Sequence, residues 1–457
     1  MTMNISNFFR VIVLGLIVAF MLQFVIFGAT LLNWLTEGTV LLLIPMIGLS
    51  LITTHRPLSP TARAIFVAVI VYFVFLGLST IFYGNRNASR TMWFFIDMLL
   101  DAKLFVIVLF GIITARSDRL SSAIRTMCYI FIIFGLFNSI FVFRDIILGG
   151  SSIHGVPLER RGAFTIPLGL FLLKVHSAQF SLYLMIAAFA LSNANSRYQN
   201  LWKAVAWFAF LVVVAHVSVK EIASAIIVLA GYYVLQGKTR PTWRVFSILL
   251  TPVLVVAVMS FNNPISSGVS DRIRTFFGER GEQTVRTRSY VGAVQLSNNM
   301  FPLGAGAATF MSKGAKDHYS EYYYVTGVSR LYGGSKDNPT FLMDTFWPKI
   351  FGQAGYIGGL GYLTAIVILF LLAVRVLSTT RSTESFYASM VMISSAISSL
   401  ATPIYTRDYV LVCVALAATY LLTRGVKSVE TARNSKRRSV STRGRVQQSR
   451  AGRAWPR

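Results

Sequence analysis

Apolar runs recur along this chain, and they limit its fold more than any other feature. The stretch VIVLGLIVAFMLQFVIFG (11–28) is one example. A hydrocarbon core of roughly 30 Å takes about 20 apolar residues per helix. About twelve such segments can be marked, near 8–28, 34–52, 64–83, 92–114, 124–148, 176–193, 201–217, 221–236, 244–261, 345–373, 386–403 and 408–423. A soluble core has no use for so many uninterrupted runs. The expected fold is an all-α polytopic membrane protein with about twelve transmembrane helices.

The distribution of charge orients these spans. The chain carries 43 Lys and Arg against 17 Asp and Glu, a formal +26. Nucleic acid would be one partner for so basic a chain. The cations, however, collect in short links between apolar runs and in the tail, which excludes nucleic acid as the expected partner. The links 54–63, 115–125, 195–203, 236–244 and 375–381 alternate with less basic ones and all fall on one side if both termini are cytoplasmic. That is the positive-inside pattern of an inner membrane. No small-residue cleavage site follows the first run, so it reads as a retained helix. Cys128 and Cys413 fall inside apolar spans and imply no disulfide or metal framework.

Two units follow: a membrane domain over 1–422 and a basic tail over 423–457. The tail holds eleven Lys and Arg against Glu430 alone. It reads as a disordered cytoplasmic segment that fixes topology or meets anionic lipid. Two outer links are long. The segment 149–176 is mixed in polarity and partly re-entrant in character. The other, roughly 262–344 between spans nine and ten, is a large polar and aromatic loop on the outer face. Loops of this length usually carry function.

Within that loop, VRTRSYVGAVQLSNNMFPLGAG (285–306) begins as a helix-like stretch with Arg286 and Arg288, and with Tyr290, Val294 and Leu296 as apolar partners. Arginine there offers a permanently charged planar fork to phosphate oxygens; a solvated loop of mixed charge is the plainer reading. Gly304 and Gly306 mark a tight turn, and could also present backbone N–H groups to an anion. Lys220 and Glu221, in HVSVKEIAS (216–224), form either an interfacial cap or a second cationic site. Asp344, just ahead of span ten, is either a helix N-terminal carboxylate or a proton acceptor for a sugar hydroxyl. Asp97 and Asp101 share one face of span four with Lys103 nearby; they are interfacial, line a polar cavity, or mark an ion path.

In order and spacing, residues 160–370 resemble the O-antigen ligase and polymerase family of bacterial envelope glycosyltransferases, which includes Wzy-type polysaccharide polymerases. Arg286 precedes Tyr290 by four residues and Gly304 by eighteen, with Tyr290 in place of the family's tryptophan; Arg288 is the near alternative. Gly355 and Gly358 match its GxxG pair, and eleven residues before Gly355 lies Asp344, where ligases have histidine. SVKEIAS is similar to a TGSRG-like step, with Lys220 for arginine, and RRGAFTIPLG, with Arg160 and Arg161, is similar to RxxGTFxNPN.

The resemblance implies a GT-C-like architecture with its active site on the periplasmic face. It also implies inverting, metal-independent glycosyl transfer that needs no cofactor. Undecaprenyl-pyrophosphate-linked glycans would be donor and acceptor, with membrane lipids and a chain-length regulator as further partners. Arg286 or Arg288, with Lys220, would hold pyrophosphate, and Asp344 would orient or deprotonate the attacking hydroxyl. Without the ligase histidine, a polymerase is expected. A ligase acting on lipid A core, or a transporter or flippase of lipid-linked glycan, are the alternatives.

Overall fold

The computed structural model describes residues 38, 41–48, 58–84, 88–114, 117–161, 164–171, 174–193, 197–236, 284–380, 382–406 and 410–424. The expected spans 8–28 and 244–261, the first part of the large loop and nearly all of the basic tail lie outside them. Nine of the other ten expected spans coincide with long helices, and the tenth, 34–52, is helical over 41–48. The helices are α1 (Pro60–Tyr83), α2 (Ala88–Thr114), α3 (Ser117–Leu148), α4 (Lys174–Ser192), α5 (Gln199–Ala215) and α6 (Val219–Gln236), followed by α7 (Val285–Asn299), α8 (Lys313–Asp317) and α9 (Tyr322–Val325), and closed by α10 (Trp347–Thr379), α11 (Thr383–Ser399) and α12 (Val410–Arg424). A two-residue antiparallel hairpin, β1 (Arg160–Arg161) with β2 (Phe164–Thr165), is the sole named sheet among the described residues.

Among the described residues, α1, α3, α4 and α10 are long and apolar enough to cross a membrane. Burial separates the helices into inner and outer ones. Every residue of α4 from Ser177 to Ser192 is buried, and α11 and α12 are buried along nearly their whole length. An apolar helix buried on all sides belongs at the centre. By contrast, α1 and α3 expose apolar rows, Val67, Ile70, Val74 and Ile81 on one and Ile133, Phe137, Ile140 and Ile147 on the other. So much exposed hydrocarbon is disfavoured in water and favoured in lipid. The described residues are those of a helical membrane protein.

α1 and α10 run antiparallel, with Tyr72 and Tyr362 edge to face at 5.0 Å. A Cβ on Gly361 would lie 2.6 Å from the Ala68 carbonyl oxygen, so this close approach depends on a small residue. After α3 the chain turns back on itself. The Asp145 carboxylate accepts from Leu168 N (3.0 Å) and Gly169 N (2.9 Å), and Asn138 Oδ1 accepts from Leu170 N (2.9 Å). Non-helical backbone survives at such depth only when its polar groups are satisfied by protein. Two α3 side chains do this for 168–170, within the buried stretch 166–171, whereas 149–159 is mostly exposed or half-buried.

The described part of the large loop, 284–346, has a small core of its own, formed by Val285, Ala293, Leu296, Phe310, Met311, Tyr323, Val328 and Leu342. It is therefore a folded cap on one end of the bundle. Asp97 of α2 accepts from Ala308 N at its base.

Candidate functional site

α7 starts at Thr284, whose side-chain oxygen accepts from Thr287 N at 3.2 Å, satisfying one of the first-turn amides. Residues two apart on a helix point about 200° from each other, whereas residues four apart share a face. That arithmetic separates the two candidate arginines. Arg286 Nη2 lies 3.1 Å from Asp344 Oδ2. One turn on, the Tyr290 hydroxyl donates to the Leu400 carbonyl at 2.6 Å. Arg288 points the other way, and its Nε donates to the Thr326 carbonyl at 2.6 Å, at the C-terminal end of α9. Arg288 thus holds the cap together, while Arg286 meets Asp344 and shares its face of α7 with Tyr290, which reaches the loop after α11.

That loop gathers further contacts. Lys220 Nζ, in the first turn of α6, lies 3.1 Å from Thr402 Oγ1 and 3.4 Å from Glu221 Oε1. Glu221 is buried, accepts from the Ser218 hydroxyl, and sits at a helix N-terminus where negative charge is favoured. Trp347 Nε1 donates to Ser399 Oγ at 3.1 Å. Residues 399–402 therefore receive side chains from α6, α7 and α10, and the Arg286–Asp344 pair lies one turn of α7 from this meeting point. The side chains of the pair remain partly open, at 27% and 35% exposure. Burial pushes the Tyr290 phenol up to about 12 against the opposing effect of the Arg286 charge, so it stays a neutral donor at ordinary pH.

Gly304 and Gly306 have another use. Five successive amides of the turn are taken up by the helices beneath. Gly304 N donates to Ser79 Oγ (2.9 Å), Ala305 N to Gly352 O (2.9 Å) and Gly306 N to Gln353 O (2.9 Å). Ala307 N donates to Thr80 Oγ1 (2.8 Å) and Ala308 N to Asp97 Oδ2 (3.0 Å). With its N–H groups committed inside the protein, the turn is an anchor rather than a cradle for an anion. Gly355, at φ +69°, breaks α10 where the turn enters, and a Cβ on Gly304 would lie 2.4 Å from Gly355 N. The GxxG pair is thus partly a socket for the PLGAG turn.

The anchor rests on a polar cluster inside the bundle. Lys349 Nζ lies 2.7 Å from Asp101 Oδ1 and 3.8 Å from Asp97 Oδ1. The Tyr72 hydroxyl donates to Asp101 Oδ2 at 2.7 Å. Gln353 Nε2 donates to the Phe310 carbonyl (2.9 Å) and approaches Asp97 Oδ2 (3.4 Å). Sequence reasoning marked the two aspartates and missed Lys349, Gln353 and Tyr72. The available signal was a lone lysine set into the apolar start of α10, which needs an intramembrane partner. Arg160 and Arg161 lie on β1, paired with Thr165 and Phe164. Their hairpin neighbours α3 and is not among the elements that meet Arg286 and Asp344. Neither the models of known protein families nor the curated proteins compared with this chain give a match.

Proposed function

We propose that this protein is a glycosyltransferase that joins undecaprenyl-pyrophosphate-linked oligosaccharide repeat units into a longer surface or exopolysaccharide. The observation that carries the reading is the contact between Arg286 and Asp344. These residues are 58 positions apart and were selected by separate sequence features, yet they pair at 3.1 Å on the rim of the bundle. The same rim carries Tyr290 and Lys220, both in contact with 400–402.

The chemistry is an inverting displacement. The bond between the donor's anomeric carbon and its pyrophosphate oxygen breaks, and its electron pair leaves with the pyrophosphate. The acceptor hydroxyl forms the new glycosidic bond and gives its proton to the Asp344 carboxylate. Arg286 neutralises the developing charge on the leaving group, and Lys220 is the second cation. Arg286 pairs with Asp344, so an arriving pyrophosphate draws the guanidinium away and frees the carboxylate to accept. Arg288, committed to Thr326, is a positioning residue. The reading places the protein in a bacterial inner membrane, with both termini cytoplasmic, the cap periplasmic, and a chain-length regulator as partner.

The test is the glycan profile of a deletion strain complemented with Arg286→Ala or Asp344→Asn. The expected result is accumulation of single repeats with normal membrane insertion. Wild-type chain lengths from both variants would overturn the assignment. Product appearing on lipid A core rather than as lengthened lipid-linked chains would identify a ligase. A transporter or flippase is favoured by the buried charges of α2. Their contacts, however, go to Lys349, Tyr72 and the base of the cap, which suits a clasp better than a passage.

A further inference from the structure

Beside the cap there is a cavity of about 390 Å³, between α1, α2 and the segment 307–322. This is within the range of small-molecule sites. Its helix walls are apolar, with Gly77 and Ile81 from α1 and Phe94 and Phe95 from α2. Ile81 and Phe95 are each 64% exposed and continue into the apolar outer surface of the bundle. The cavity is thus contiguous with the face that lipid covers. Gly77 marks the open space, since a Cβ built there meets nothing within 4 Å.

The side formed by the cap is of different character. Thr309, His318, Ser320 and Glu321 line it, and among the described residues no lysine or arginine does. Glu321 is exposed, and its side chain makes no capping hydrogen bond to α9. The carboxylate disfavours a phosphate, while the hydroxyls and the imidazole offer both donors and acceptors to a head group rich in hydroxyls. The demand is opposite to that of the Arg286 rim, which is cationic.

We infer that this cavity binds an amphiphile whose hydrocarbon chain lies against Gly77, Phe94 and Phe95 and whose uncharged, hydroxyl-bearing head group meets Glu321 and His318. The ligand class is a neutral glycolipid. The site does not depend on the proposed glycosyl transfer.

The probe is a photoreactive diazirine alkyl maltoside, compared with an alkyl phosphate of the same chain and diazirine, applied to the full-length protein in phosphatidylcholine nanodiscs. Labelled peptides are mapped by mass spectrometry. The maltoside should label α1, α2 and 307–322 saturably, and excess unlabelled alkyl maltoside should compete. Gly77→Trp should reduce that labelling at least tenfold, and Gly77→Ala should leave it unchanged. Glu321→Gln, at an exposed position, should weaken maltoside labelling several-fold and, with the repelling charge gone, raise alkyl phosphate labelling. Equal labelling by both probes, or labelling indifferent to Gly77→Trp and Glu321→Gln, would overturn the assignment. Because the readout is labelling, Arg286→Ala should not alter it, which separates failure here from failure of the polymerase reading.

Discussion

Two ion pairs in this molecule use the same chemistry at different depths. Lys349 and Asp101 meet at 2.7 Å with side-chain exposures of 7% and 0%, whereas Arg286 and Asp344 meet at 3.1 Å with exposures of 27% and 35%. Depth decides what each pair is for. Moving charges out of water is costly and is offset only by close geometry and further hydrogen bonds. Asp101 has both, since Lys349 and the Tyr72 hydroxyl each approach one carboxylate oxygen. Such a pair resists exchange with a ligand and works as a clasp. A partly exposed pair is worth little to stability, so its partners can be redirected at small cost. That suits a site where an incoming anion replaces the carboxylate.

The largest effect should come from breaking the deep pair. Lys349→Met leaves Asp97 and Asp101 buried with their main cation gone, a change that costs about 3–5 kcal/mol. Thermal unfolding in detergent should show a large fall, and limited proteolysis should cut first in 300–312 as the turn leaves its socket. Adding Asp101→Asn to Lys349→Met should recover part of the loss, because the unpaired carboxylate is then removed as well. If the single variant unfolds like the wild type, the clasp reading fails.

Helix positions among the described residues were largely legible in the sequence because lipid imposes a simple rule on each segment, a long apolar run, that needs no knowledge of its neighbours. Arg286, Arg288, Tyr290 and Asp344 stood out for another reason, since charge at the edge of an apolar helix is conspicuous, but the sequence left the two arginines as alternatives. Lys349 and Gln353 did not stand out, because their meaning lies in α2, some 250 residues away, and no local pattern records that meeting. The turn at Gly304 shows the same limit. Its glycines permit both an anion cradle and a buried anchor, and only the positions of Ser79, Thr80 and Asp97 decide between them.

Next in size is Arg288→Ala. It removes a charged donor from the Thr326 carbonyl, an interaction worth about 1.5–3 kcal/mol. Arg286→Ala should cost only about 0–1 kcal/mol in the same unfolding assay, yet lower polymer formation by about 100-fold or more, as expected for a lost donor to a leaving group. The two arginines thus have opposite signatures, one mainly in stability and the other mainly in product. Arg288→Lys should restore part of the stability, since a cation still reaches toward the end of α9. Equal stability losses from Arg286→Ala and Arg288→Ala would erase the distinction between the two helix faces.

The smallest effect concerns the phenol beside the exposed pair. Desolvation holds Tyr290 at about 12 in the folded protein, while an unfolded tyrosine titrates near about 10. The folded state therefore keeps this proton over a range where the unfolded state has lost it. Its contribution to stability is fully present below about pH 10 and is lost as pH rises through about 12. Unfolding curves of the wild type and of Tyr290→Phe should accordingly run parallel at neutral pH and converge across that alkaline interval. The Arg286 charge works against the desolvation, so Arg286→Ala should move the convergence to higher pH. A convergence that stays at the same pH without Arg286 would mean that the charge is drawn toward Asp344 and scarcely felt at Tyr290, making the pair tighter than its exposure implies.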